Sequence, residues 1–204
     1  YHLVEESRPG EYMPVFEDQH GTYLYNSKDL CMIDHIPELV DAGISSFKVE
    51  GRMKTALYAA TVARAYRAAI DDYAEDPETY YKKLPWYRDE VGKCTTREFC
   101  TGFYFERPGA EAQIYDSNTY SKEWTYLGTI EEQEGRPFLL QKNKFSVGEE
   151  VEVMRPDGSN LPAEVKGLVT ESGEAVESAP HPGQKLFIDL GIPLMPYDIL
   201  RKKA

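Results

Sequence analysis

Residues 37–73 read PELVDAGISSFKVEGRMKTALYAATVARAYRAAIDDY, and this stretch decides the fold class. Pro37 suits a first helical position, with Glu38, Leu39 and Val40 following. Gly43 sits where a helix C-terminus wants a left-handed residue. Ile44 to Val49 is an apolar-rich run of strand length, and Gly51 breaks it. Thr55 is placed to cap a helix. Tyr58, Val62, Tyr66, Ala69 and Tyr73 recur at spacings of three and four, which predicts an amphipathic helix over Ala56 to Tyr73. Helix, strand, loop, helix is a βα unit with the preceding helix attached. Such a strand needs neighbours on both sides and cover on both faces. Residues 1–75 are therefore expected to be the last part of a (β/α) barrel-like domain whose earlier strands lie upstream.

Outward from this block, Tyr12 to Phe16 and Gly21 to Tyr25 read as a hairpin around Asp18-Gln19-His20-Gly21. Asn26-Ser27 offers a cap for a short helix from Lys28 to about Ile33. Residues 76–98 are charged and Tyr-rich and contain Pro77 and Pro85. They read as a connector, with room for a short helix. From Phe99 short apolar runs alternate with turn signals such as Glu134-Gly135, Val147-Gly148 and Pro156-Asp157-Gly158. Strands are expected at Tyr126–Ile130, Phe138–Leu140, Glu150–Met154, Glu164–Val169 and Lys185–Leu190. Residues 99–204 thus read as a small all-β barrel or sandwich.

Of the 204 residues 41% are hydrophobic and 12% aromatic, which separates the chain from disordered sequences. The net charge is −12, evenly divided between residues 1–75 and the rest. A uniform negative field repels phosphate backbones at long range, so any nucleic-acid contact needs a local basic patch. Three cysteines without regular spacing make a poor disulfide framework and suit a reducing, cytoplasmic setting. No apolar run approaches the roughly 20 residues that cross a bilayer, and no membrane partner is expected.

Few residues stand out as chemistry. Lys48, Glu50 and Arg52 alternate, so on a strand they share one face, at the strand's C-terminal end. That end of a (β/α) barrel carries active sites, and two cations around a carboxylate suit an acidic substrate or a phosphate. An ordinary ion-pair network fits the same spacing. Cys31 has apolar neighbours. Its composition favours a buried small hydrophobe, with a metal ligand, or a nucleophile served by His35, as the alternatives. Arg8 and Glu11 flank a turn, where loop rigidity is the simpler reading. Arg136, Phe138, Lys142, Lys144 and Phe145 form the one local mix of cations and aromatics that an RNA face would need. Acidic neighbours favour a solvated surface there instead.

Three ordered blocks carry a resemblance: residues 5–15 (EESRPGEYMPV), 26–31 (NSKDLC) and 48–54 (KVEGRMK). With residues 142–149 (KNKFSVGE) and 151–154 (VEVM) downstream, they closely resemble the collagenase-like peptidase family U32. The resemblance implies a (β/α) barrel-like domain followed by a β-domain similar to translation-factor barrels. It also implies that the family's Cys-containing signature block lies upstream. The branch this sequence looks most like makes 5-hydroxyuridine at the tRNA wobble position, with prephenate as a required metabolite; a collagenase-like peptidase and a non-catalytic RNA- or partner-binding module are the alternatives. By motif position Cys31 would be the last of four cysteines holding an iron–sulfur cluster, a four-iron four-sulfur one, in the full-length protein, with none expected on this piece alone. Lys48, Glu50 and Arg52 would line the barrel mouth as catalytic residues, with Arg8 and Glu11 as a second, substrate-binding tier. A homo-oligomer is compatible with this reading.

Overall fold

The structure, a computed structural model, describes every residue except 8, 20, 24, 25, 95 and 115–122. It divides into two units. The first comprises Tyr1–Asp34 with Thr96–Ser121, the second His35–Thr95 with Lys122–Ala204.

In the first unit, β1 (His2–Val4) pairs antiparallel with β2 (Tyr12–Pro14), and β3 (Phe16–Asp18) with β4 (Gly21–Tyr23). A hairpin is present at this turn, but its first arm is Phe16–Asp18: Tyr12–Pro14, expected in that arm, pairs with β1 instead, and residues 24 and 25 lie outside the described residues. β5 (Asp29–Leu30) runs parallel to β6 (Phe99–Cys100). A helix over Lys28–Ile33 is not formed; only Ile33–His35 closes a short 3-10 turn. The reason is non-local. The Asp29 carboxylate accepts the Arg97 backbone N–H at 3.0 Å and its Nε at 3.1 Å, and the Asp29 N–H donates to the Glu98 carbonyl at 2.7 Å. Pairing with residues far along the chain outweighs a weak local helix preference.

The second unit opens with α1 (Ile36–Asp41), which carries Pro37 in its first turn and ends before Gly43 at φ +76°. The strand expected over Ile44–Val49 is not formed; this stretch carries no regular secondary structure. Among the described residues no strand lies beside it, and Ile44 and Val49 are more than 40% exposed. A lone strand leaves its backbone polar groups to water and buries nothing, so nothing holds it as a strand.

Next come α2 (Ala56–Glu75) and α3 (Pro77–Gly92). Thr55 caps α2 by accepting the Tyr58 N–H at 3.4 Å. Asp76 alone joins the two helices. Its carboxylate accepts the Glu78 N–H at 3.1 Å and the Thr79 hydroxyl at 2.9 Å, and Pro77 occupies the first helical turn. The region expected as a connector is therefore mostly a 16-residue helix. Its Tyr80 and Tyr87 are fully buried and stack at 5.7 Å, and the Tyr87 hydroxyl donates to Asp72 of α2 at 2.5 Å.

The remaining strands are β7 (Trp124–Gln133), β8 (Arg136–Gln141), β9 (Phe145–Ser146), β10 (Glu150–Met154), β11 (Asn160–Glu164), β12 (Gly167–Thr170), β13 (Ala175–Val176), β14 (Ser178–Ala179), β15 (Lys185–Asp189) and β16 (Ile199–Lys203). Eight of them form one antiparallel sheet in the order β11-β10-β16-β7-β8-β15-β12-β13, and β9 pairs with β14. β11 and β12 lie far apart in that order, yet only Val165 and Lys166 separate them in the chain. Two residues cannot span a flat sheet of seven strands, so the sheet curls until its two sides meet. The result is the expected barrel-like all-β domain.

The single strand expected at Glu164–Val169 covers this crossover, which the structure resolves into two strands. Leu127, Ile130, Leu139, Phe145, Val153 and Leu200 fill the barrel interior. Gly128 on β7 is required there: a Cβ would lie 2.5 Å from the Leu140 carbonyl oxygen of β8. On the outer side Met154 and Ile199 pack against Leu57 and Val62 of α2 and against Cys94. The alternation of Val153 inward and Met154 outward is the strand period at work.

Candidate functional site

The loop 48–54 leads into the N-terminus of α2. Lys48, Glu50 and Arg52 are all exposed. They do not share a strand face, since no strand forms. The loop has its own internal order instead. The Glu50 carboxylate accepts the Arg52 backbone N–H at 3.1 Å, and the Glu50 carbonyl accepts the Tyr58 hydroxyl at 3.3 Å. Gly51 admits the Tyr58 ring, because a Cβ there would stand 2.8 Å from the ring edge. The Lys54 ammonium lies 5.4 Å from the centre of the same ring. Arg52 and Lys54 lie just before the N-terminus of the 20-residue helix α2, whose positive end favours an anion, and Lys48 precedes them in the same loop.

Cys31 belongs to the first unit and is half-buried at the end of β5, where its N–H donates to the Cys100 carbonyl at 2.9 Å. Cys31, Cys94 and Cys100 form no disulfide with one another. Among the described residues no group of three or more His, Cys, Asp or Glu is placed to hold a metal ion. His35, the base expected for a Cys31 nucleophile, is engaged with Glu38 at 3.0 Å, and that bond is the main reason the Glu38 carboxyl lies below its ordinary value.

Arg8 lies outside the described residues. Glu11 is exposed and pairs with Arg107 at 3.7 Å. The aromatic part of the RNA-face reading is corrected by the structure: Phe138 and Phe145 are 5% and 0% exposed and belong to the barrel core. Lys142 and Lys144 stay on the surface.

The sequence reading missed a buried ionic cluster in the second unit. Glu90 of α3 and Arg201 of β16 are both fully buried. One guanidinium nitrogen of Arg201 donates to both Glu90 oxygens, at 2.9 and 3.1 Å, and to Glu152 at 2.5 Å. Arg64 of α2 also pairs with Glu90, and donates to the Arg155 carbonyl at 2.9 Å and to Asn160 Oδ1 at 2.9 Å. Lys93 reaches Glu90 at 2.9 Å, and the Asn160 amide reaches it at 2.6 Å. Trp124 lies beside the cluster, its ring centre 5.2 Å from Arg201 and 5.3 Å from Lys93. Burial pushes the Glu90 carboxyl up, but Arg201, Lys93 and Arg64 together outweigh it and hold the group below its ordinary value. Glu90 is fully buried and accepts from Arg201, Arg64, Lys93 and Asn160, so the cluster is built to hold elements together rather than to meet a substrate. Its one sequence signal was the position of Glu90 three residues after Tyr87, on the buried stripe of α3.

Comparison with known proteins adds the lineage. The family model for peptidase family U32 matches residues 1–114, and that for the U32 C-terminal domain matches residues 122–201. This chain belongs to peptidase family U32. As a U32 member it is 31% identical over 191 residues to tRNA hydroxylation protein P1 of Bacillus subtilis (strain 168), covering 92% of this chain and 45% of that protein. It is 36% identical over 190 residues to tRNA hydroxylation protein P of Escherichia coli (strain K12), covering 91% and 41%. A collagenase of Porphyromonas gingivalis is 28% identical over 189 residues, covering 90% and 51%. The chain thus spans about half or less of the length of these relatives. Among solved structures, the C-terminal domain of a Geobacillus thermoleovorans putative U32 peptidase is similar, with 28% identity and a TM-score of 0.35, covering 38% of this chain and 99% of that one. The ionic cluster links the two matched regions: Arg64, Glu90 and Lys93 come from the first, and Glu152, Asn160 and Arg201 from the second.

Proposed function

We propose that this U32 chain is the C-terminal part of a tRNA-hydroxylating protein. The observation that carries the reading is the likeness, along more than nine-tenths of the chain, to relatives named tRNA hydroxylation proteins in two distant bacteria. The finer reading is hydroxylation of the wobble uridine to 5-hydroxyuridine, dependent on prephenate, in the cytoplasm. Lys48 and Arg52 bind an anion, either the dicarboxylate or a tRNA phosphate, at the mouth of the barrel-like domain, and Arg suits bidentate contact with either. Glu50 holds the loop between them by accepting the Arg52 N–H. Arg8 and Glu11 form the second, substrate-binding tier. Cys31 gives one thiolate to an iron–sulfur cluster whose other ligands come from elsewhere in the full-length protein. The β-domain, read as similar to translation-factor barrels, is an accessory module.

The test is mass spectrometry of tRNA nucleosides from cells with and without the full-length gene. Loss of 5-hydroxyuridine on deletion, restored by wild type and not by Cys31→Ala, supports the reading. An unchanged nucleoside profile removes it. The collagenase-like relative makes peptide hydrolysis the second reading. It predicts cleavage of gelatin by the full-length protein with no change in tRNA nucleosides.

A further inference from the structure

The first unit exposes apolar surface out of proportion to its size. Nine of the sixteen exposed large hydrophobics among the described residues lie in it. Four of these are Leu30 of β5, 58% exposed, and Phe103, Tyr104 and Phe105, which closely follow β6 in the chain and are each more than half exposed. Gly102, at φ +57°, turns the chain here. A Cβ on it would stand 3.2 Å from Leu30 Cδ1, so the aromatic turn starts against Leu30. Patches of contiguous exposed aromatic and aliphatic side chains mark contact sites.

The strand pair beneath has an open side. Glu98 and Cys100 turn their carbonyls toward β5, accepting from Asp29 and Cys31. Phe99 therefore presents its backbone N–H and carbonyl on the opposite edge. Among the described residues no strand pairs with that edge. A two-stranded parallel sheet with an open edge is rare in isolation, since parallel sheets are extended and covered on both faces.

Charge discriminates between occupants. This unit carries eleven acids against four bases, so most of the chain's net −12 resides here. A phosphate backbone is repelled from such a surface, and an apolar polypeptide is not. The relatives supply a source for one, because each is at least about twice the length that this chain matches.

We infer that the outer edge of β6, with Leu30, Phe103, Tyr104 and Phe105, is the docking surface for the portion of the full-length U32 polypeptide that this chain does not contain, which adds a strand beside Phe99 and covers the aromatic turn. The inference rests on family membership and holds whether or not the protein hydroxylates tRNA.

Hydrogen–deuterium exchange on the 204-residue chain and on the full-length gene product tests it. The amides of residues 99–105 are expected to exchange about tenfold or more slowly in the full-length protein. Full-length protein carrying Phe103→Asp and Tyr104→Asp regains the fast exchange. The same pair in the 204-residue chain leaves its melting temperature unchanged, since both rings are already exposed there. Equal exchange in the two wild-type proteins overturns the inference. So does protection that arises in the short chain on self-association at high concentration, or only on adding tRNA, because each names a different occupant.

Discussion

Glu90 and Arg201 stand 111 residues apart in sequence, yet each is fully buried and two hydrogen bonds of 2.9 and 3.1 Å join them. The contact ties α3 to β16, a strand near the middle of the sheet, and so ties the helical hairpin to the barrel. Three cations converge on the one carboxylate, and Glu152 offsets part of their charge.

Removing the carboxylate leaves Arg64, Arg201 and Lys93 crowded without their common partner. Glu90→Gln is expected to cost about 3–5 kcal/mol, the usual penalty for breaking a buried pair from one side. Arg201→Met should cost a similar amount, and the double variant clearly less than the two costs added. Urea denaturation of the four proteins measures this. Strict additivity would show that the two groups do not interact in solution.

The same carboxylate sets an acid limit. Its folded value lies below the ordinary 4.5. The stabilisation is therefore complete above about pH 4.5 and is lost as pH falls through the folded value, where the native state must take up a proton. Asp198 has the opposite sign, because burial raises its carboxyl above the ordinary 3.8, so its share of stability is lost as pH rises. Stability measured from pH 6 down to pH 3 should fall more steeply for wild type than for Glu90→Gln. Parallel curves would remove Glu90 as the source.

Gly128→Ala is expected to destabilise the barrel by about 1–3 kcal/mol, the usual cost of overpacking. The added methyl meets a backbone carbonyl of the neighbouring strand, which has no rotamer by which to yield. Gly135→Ala, in a turn with open space around it, separates steric clash from backbone cost, since its φ of +77° adds only strain. Thermal melts of both variants check the ranking.

The loop before α2 is expected to govern anion affinity in the full-length protein. Lys48→Ala with Arg52→Ala should weaken tRNA or dicarboxylate binding by about tenfold or more and, for tRNA, lower the salt slope by one to two phosphate contacts. Lys142→Glu with Lys144→Glu on the barrel surface should leave the slope unchanged. Titration against salt, and against the dicarboxylate at fixed salt, tells which anion is bound.

What the sequence determined by itself was local. The period of Tyr58, Val62, Tyr66 and Ala69, the cap at Thr55, Pro37 and the left-handed Gly43 specify their helices through contacts within one or two turns. Alternation and turn residues specify most barrel strands in the same way. The family blocks were legible too. Tertiary structure decided the rest. Asp29 and Leu30 became a strand because Arg97 and Glu98 reach them from elsewhere in the chain, and Ile44 to Val49 did not, because no strand lies alongside. β16, which holds Arg201, was not among the strands expected from the sequence. Arg201 is buried only because Glu90, Glu152 and Trp124 enclose it. A charge is tolerated in the interior only where partners converge on it, and that convergence exists only once the chain has folded.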